Sequence, residues 1–214
     1  MIWIDPSPFK QMIPWAIWKG SNAGCVHITF DDGPHPYWTP VALRILRETN
    51  TQAIFFLNGN KVLKYPDIVQ SIEADGHVIG NHGFSHQPLL LKKRQTVYDE
   101  IMTTNQAIYQ VIGRSPVYFR PPYGRFDFRF KKLMATLHMQ LVIWSLMTYD
   151  FNAKSAKQIQ NTVKQHLHPS AILVFHDGHA NTELMVNALR PTIDYIQEQG
   201  YDTSVSIDRS WSGA

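Results

Sequence analysis

Short apolar runs alternate with longer amphipathic ones along almost the whole of this 214-residue chain. That alternation restricts the fold more than any other feature. The runs Val26–Phe30, Ala53–Leu57, His77–Gly80, Val117–Phe119, Leu141–Trp144, Ala171–Phe175 and Tyr201–Val205 are mostly apolar almost throughout, as strands buried on both faces are. Helices fit between them. Thr39 is placed to cap one that has Pro40 first and ends at Asn50,. Pro66 opens another, which stops before Gly76,. Val97, Ile101, Ile108 and Ile112 form one buried stripe,. Further helices fit Phe128–His138, Ser155–His168 and Thr182–Gln199, with Gly200 closing the last and Pro191 predicted to kink it,. Such alternation predicts a parallel α/β barrel, with a doubly wound open sheet as the other architecture.

In both architectures chemistry gathers where strands end, and the reactive side chains of this sequence lie there. Asp31-Asp32 follows the first run, Asn81-His82 the third, Arg120 the fourth, Tyr149-Asp150 the fifth and His176-Asp177 the sixth. Two adjacent carboxylates would repel each other with nothing nearby. A cation relieves this, one carboxylate binding it while the other stays close as a base. Without a cation, Asp31-Asp32-Gly33-Pro34 reads as a turn that caps the next helix. His82 and His86 are four residues apart and can converge on one point,. With an Asp they make the three-ligand set of a catalytic zinc site, which leaves a position open for water. Arg120 can hold a carboxylate in place, and the Tyr123 N–H in Arg120-Pro121-Pro122-Tyr123-Gly124 can donate to an oxyanion. His176 suits proton transfer near neutrality, with Asp150 or Asp177 to orient it. The other histidines, His27, His35, His77, His138, His166, His168 and His179, lack comparable company and read as structural or surface residues.

Composition narrows the field. Hydrophobic residues make up 44% and charged residues 17%, ordinary for a globular chain. A net charge of +3, from 20 basic and 17 acidic residues, argues against nucleic acid as partner. The single cysteine, Cys25, allows no intrachain disulfide and reads as a small core residue. No stretch reaches the ~20 apolar residues that span a bilayer. Residues 1–24 read as an extension packing on a catalytic domain of residues 25–214. They show no signal-peptide pattern, so the compartment is left open. Trp3, Trp15 and Trp18 in that extension can plug the barrel's bottom, pack on its flank or touch a membrane surface.

Taken in order, Thr29-Phe30-Asp31-Asp32-Gly33-Pro34, His82…Ser85-His86, Arg120-Pro-Pro-Tyr-Gly and Leu173 to Asp177 resemble four motifs of the polysaccharide deacetylase family, also called carbohydrate esterase family 4 or the NodB homology domain. The resemblance implies a distorted (β/α)7 barrel. It also implies metal-dependent hydrolysis of acetyl groups from an N- or O-acetylated carbohydrate, such as peptidoglycan, chitin oligomers or acetylxylan, which favours an extracytoplasmic or cell-envelope location. By resemblance Asp31 is the base, and Asp32, His82 and His86 hold one divalent metal, zinc first, with cobalt or nickel possible. Arg120 supports the base, the Tyr123 N–H binds the oxyanion, and His176 is the acid. The fourth motif departs from the family's Asp-x-x-Asp-Trp: Met147 replaces its first acid and Phe151 its tryptophan, while Asp150 is kept. This shift bears on what tunes His176. Val174 replaces the usual Leu of the fifth motif, which implies a roomier acyl pocket. Val174, Pro121, Phe151 and Trp38 are the candidate substrate contacts. A non-sugar amide hydrolase, such as a deformylase, and a silent carbohydrate-binding domain are the competing readings.

Overall fold

The computed structural model describes residues 13–204. Trp3 lies outside them. Among the described residues the strands are β1 (His27–Asp31), β2 (Ala53–Leu57), β3 (Val78–Asn81), β4 (Tyr118–Phe119), β5 (Gln140–Leu141), β6 (Leu146–Met147) and β7 (Ile172–His176). They form one sheet in the order β5-β4-β3-β2-β1-β7-β6, parallel at every pairing. Its end strands β5 and β6 share no ladder, so the sheet curls into a barrel that stays open on one side. The helices are α1 (Trp38–Glu48), α2 (Gly59–Lys64), α3 (Pro66–Ala74), α4 (Arg94–Ile112), α5 (Arg129–Leu137), α6 (Ala156–His166) and α7 (Thr182–Glu198).

Side-chain alternation along the strands divides the interior in two. Ile28 and Phe30 of β1, Phe55 and Leu57 of β2, and Leu173 and Phe175 of β7 face the helices and share one core with Leu46, Val69 and Leu189. Phe30 sits at its centre, stacked on Phe55 at 4.8 Å and on Phe175 at 5.8 Å. The alternate residues Ile54, Phe56 and Ile172 fill the barrel with Tyr118 and Val142. Asp31 belongs to that inward register, so β1 delivers its carboxylate to the top of the barrel.

The free edge of β5 would invite pairing with another chain. Residues 13–20 cover it: Ile17 donates to Leu141 and accepts from Ile143, both at 2.8 Å. Trp18 is buried and its indole N–H donates to the Ile13 carbonyl at 3.0 Å. Trp15 meets Phe126 edge-on at 5.9 Å.

Several expectations need correction. Tyr201–Val205 is no strand: Asp202 only bridges Cys25. Its carboxylate accepts from the N–H and hydroxyl of Ser204, both at 2.7 Å, which turns the chain instead of extending it, and Val205 lies outside the described residues. β6 takes that place in the count. It is two residues long and carries no periodicity to read. Only Leu141 of the run Leu141–Trp144 joins the ladder, together with Gln140. Thr39 does not cap α1. The helix already starts at Trp38, because the Thr39 hydroxyl is engaged by the His35 N–H at 2.8 Å and by Asp177. α7 runs through Pro191 without ending. α2 carries no signal in the sequence, being short and opening on a glycine.

His77 is buried below β2, where Ala53 N–H approaches its Nδ1 at 3.4 Å and the Phe55 ring lies 5.4 Å away. Burial, with Arg47 adding to it and Asp75 opposing, pushes its pKa down to about 4. Between the ordinary value and about 4 the unfolded chain binds a proton that the folded chain refuses. Stability therefore falls as pH falls through that window, by up to about 3 kcal/mol from this residue. Urea unfolding between pH 7 and 4 should show a shallower loss in His77→Gln than in the wild type. Parallel curves would contradict this.

Candidate active site

Asp31 lies where β1 ends, and the chain turns sharply after it: Asp32 has φ 73° and Gly33 follows. The turn leaves no room for a side chain at Gly33, where a Cβ would lie 2.5 Å from Asp177 Oδ1. The two neighbouring carboxylates meet different partners. Asp31 Oδ1 accepts from Arg120 Nη1 at 2.7 Å. The same Nη1 donates to Thr29 Oγ1 at 2.7 Å and Nε donates to the Val142 carbonyl at 3.3 Å. Arg120 is fully buried and its guanidinium lies 4.0 Å above the Phe56 ring. It therefore spans the barrel from β4 to β1.

Asp32 faces two imidazoles. Its Oδ1 lies 2.8 Å from His86 Nε2 and 3.4 Å from His82 Nε2. That oxygen is buried and satisfies no hydrogen-bond geometry. Three donor atoms crowd together here, a spacing at which they could hold a common cation. Among the described residues, Asp32, His82 and His86 are the cluster of this kind, with ligand atoms within 4.8 Å of one another. The backbone carbonyl of Arg120 lies 2.7 Å from His82 Nδ1. A carbonyl can only accept, so Nδ1 carries the proton and Nε2 could coordinate a metal. Burial opposes ionisation of Asp32, but His82 and His86 outweigh it and hold the carboxyl well below the usual range. Two nitrogens and one oxygen suit a borderline divalent metal.

Opposite this cluster, β7 delivers His176. Asp150 Oδ1 lies 2.8 Å from its Nδ1, and Asp150 Oδ2 accepts from its backbone N–H at 2.6 Å. Thr148 Oγ1 donates to Asp150 Oδ1 at 3.1 Å. Of the two acids open in the sequence, Asp150 is thus the one that orients His176. Asp177 points the other way, buried against Thr39. Burial pushes its pKa up to about 7 against the pull of Thr39 and Lys61. Burial alone would lower the pKa of His176; Asp150, followed by Asp31 and Asp32, raises it to about 9.

A cleft of about 600 Å³ joins these groups. Asp31, Asp32, His82, His86 and His176 line it, with Tyr123, Trp144, Met147 and Phe151 as apolar walls. Met147, which stands where the resemblance places an acid, faces this cleft. The Phe151 ring meets His176 edge-on at 5.2 Å. Val174, Pro121 and Trp38 are not among the lining residues. Val174 is fully buried, Pro121 is buried in its turn, and Trp38 packs against the helix-side core. His179, read from its isolation in the sequence as a structural or surface residue, is exposed and lines the cleft beside Phe151. Asn58, Asn60 and Lys61 also line it and had no signal in the sequence. Lys61 Nζ donates to the Asp32 carbonyl at 2.7 Å.

Removing the guanidinium would leave the buried Asp31 carboxylate without its cationic partner. Arg120→Met should lower unfolding free energy by about 3 kcal/mol or more, read by denaturant titration. A change below about 0.5 kcal/mol would show that the pair is not structurally coupled.

The chain is similar to known proteins. The polysaccharide deacetylase family profile matches residues 19–142. A peptidoglycan-N-acetylglucosamine deacetylase of Bacillus cereus is 36% identical over 199 residues, covering 91% of this chain and 71% of the relative. A chitooligosaccharide deacetylase of Azorhizobium caulinodans is 34% identical over 158 residues, covering 73% and 75%. A crystal structure of a peptidoglycan N-acetylglucosamine deacetylase superposes with TM-score 0.86 at 32% identity, covering 91% of this chain and 92% of that one.

Proposed function

Because the chain belongs to the polysaccharide deacetylase family, we propose that it hydrolyses acetyl groups from N-acetylglucosamine-containing carbohydrate, peptidoglycan or chitin oligomers, with residues 25–214 as the catalytic unit and 1–24 as an extension against the barrel. One observation carries the reading: an Arg-held carboxylate, an Asp-His-His cluster and an Asp-held histidine face one cleft.

Asp32, His82 and His86 would hold zinc, whose three-ligand catalytic sites they match; cobalt or nickel suits the same donors. Bound there, the ion supplies Lewis acidity to the acetyl carbonyl. Asp31 has one oxygen fixed by Arg120, and its Oδ2 lies 3.8 Å from His82 Nε2, beside the cluster. That oxygen is placed to take a proton from the water that attacks the carbonyl carbon. The developing oxyanion accepts from the Tyr123 N–H. The turn's own bonds run from Gly124 to Pro121 and from Arg125 to Pro122 and leave that amide out. His176 keeps its proton on the nitrogen away from Asp150 and gives it to the sugar nitrogen as the C–N bond breaks. Acetate and the free amine leave, and the proton held by Asp31 replaces the one that His176 lost. Phe151 and Tyr123 offer flat faces for sugar rings.

Acetate release should be detected from acetylated chitooligosaccharides or peptidoglycan fragments and not from formylated or small non-sugar amides. Asp31→Asn should lower kcat about a hundredfold or more. Near-normal turnover in that variant would remove Asp31 as the base. Formate release in preference to acetate would favour an amide hydrolase of another kind.

His176 acts in its acid form, and its raised pKa keeps that form until pH approaches about 9. Activity should therefore fall on the alkaline side as the proton is lost. Replacing Asp150 removes the largest raising influence, so in Asp150→Asn the alkaline limb of kcat/KM should move to lower pH by about one unit or more. An unmoved limb would mean that another group carries it.

A further inference from the structure

We propose that Glu100, on α4 and outside the cleft, is the positioning residue that sets the metal-ligand geometry of His82 and His86, a reading that rests on the metal site proposed above. The two histidines lie on a loop with two left-handed residues, Gly83 at φ 77° and His86 at φ 59°. Such backbone persists only where its surroundings fix it. Here one carboxylate receives the loop's donors. Glu100 Oε2 accepts from the N–H groups of Phe84 at 2.8 Å and Ser85 at 2.9 Å. Oε1 accepts from Ser85 Oγ at 2.7 Å and from Gln87 Nε2 at 2.8 Å.

The rest of the loop is held from both sides. Asn81 Oδ1 accepts from the Gly83 N–H at 2.7 Å, while its Nδ2 donates to α4 at the Ile101 carbonyl and to Asn105 Oδ1. From across the loop, α2 donates the N–H of Gly59 to the Gly83 carbonyl at 3.0 Å and that of Asn60 to the Phe84 carbonyl at 3.2 Å. The N–H of His82 donates to the Leu57 carbonyl at 3.0 Å. The loop's amides from His82 to Ser85 are thus all bonded, and Glu100 provides the acceptor for half of them. Without it two partly buried amides lose their partner and the loop's path from His82 to His86 is released. Groups behind metal ligands commonly control affinity in this way.

The test is a cobalt(II) titration of metal-stripped protein, followed by the visible absorption of the bound ion, on the wild type, Glu100→Gln and Glu100→Ala. Gln keeps one carbonyl acceptor and Ala keeps none. Cobalt affinity should fall about ten- to hundredfold in Glu100→Ala and by an intermediate factor in Glu100→Gln, with an altered absorption spectrum, at a temperature where thermal melts show each metal-free variant folded. If the Ala variant does not fold, the Gln variant decides. Wild-type affinity and spectrum in a folded variant would overturn the proposal. The readout involves no turnover, so failure of the deacetylase reading leaves it intact. Wild-type protein that bound no cobalt would overturn the metal site and the clamp with it.

Discussion

Arg120 is fully buried and holds two parts of the site that come from different strands. Its guanidinium fixes Asp31 at the end of β1, and its backbone carbonyl fixes the ring of His82 beyond β3. Thr29 accepts from its Nη1 and the Val142 carbonyl from its Nε, on either side of the barrel. A guanidinium this deep is tolerable only because a carboxylate, a hydroxyl, a carbonyl and an aromatic face surround it. The open barrel provides that enclosure, since the inward residues of β1 and β2 and the arriving β4 converge there. The curl of the sheet and the placement of Asp31 thus follow from the same buried contacts.

The charges around the cleft are arranged so that no two acids share one task. Asp31 is matched by Arg120, Asp150 by His176, and Asp32 by the two imidazoles of His82 and His86, with which it could hold a cation. Asp177, the fourth carboxyl nearby, is buried and pushed up toward neutrality. It packs beneath Gly33 and so supports the turn that presents Asp32. Met147 occupies the position where the resemblance places a further acid, yet Asp150 alone makes both bonds to His176. The altered fourth motif therefore leaves the orientation of His176 intact and changes the wall of the cleft instead.

Much of this was legible in the sequence, because strand ends announce themselves: an apolar run that stops at Asp31, at Arg120 or at His176 states both the element and the site. The same logic failed wherever an element was too short to show a period, as at Leu146–Met147, or where a side chain met a partner distant in sequence. Thr39 looks like a helix cap until Asp177 claims its hydroxyl. Glu100 sits on an otherwise ordinary amphipathic helix, and nothing in its spacing points to the Ser85 amide fifteen residues away. Lys61, Asn58 and His179 reach the cleft from loops and a short helix with no pattern of their own. Val174 follows its motif in sequence, but the pleat turns it into the barrel below the cleft.

On the function proposed above, deacetylation depends on a single metal site formed by Asp32, His82 and His86. The most direct test adds zinc stepwise to metal-stripped protein while acetate release from a chitin oligomer is followed. Activity should rise linearly and stop at about one equivalent, and His82→Ala should show no such saturating rise. Full activity before any metal is added, or a rise that continues well past one equivalent, would contradict the claim.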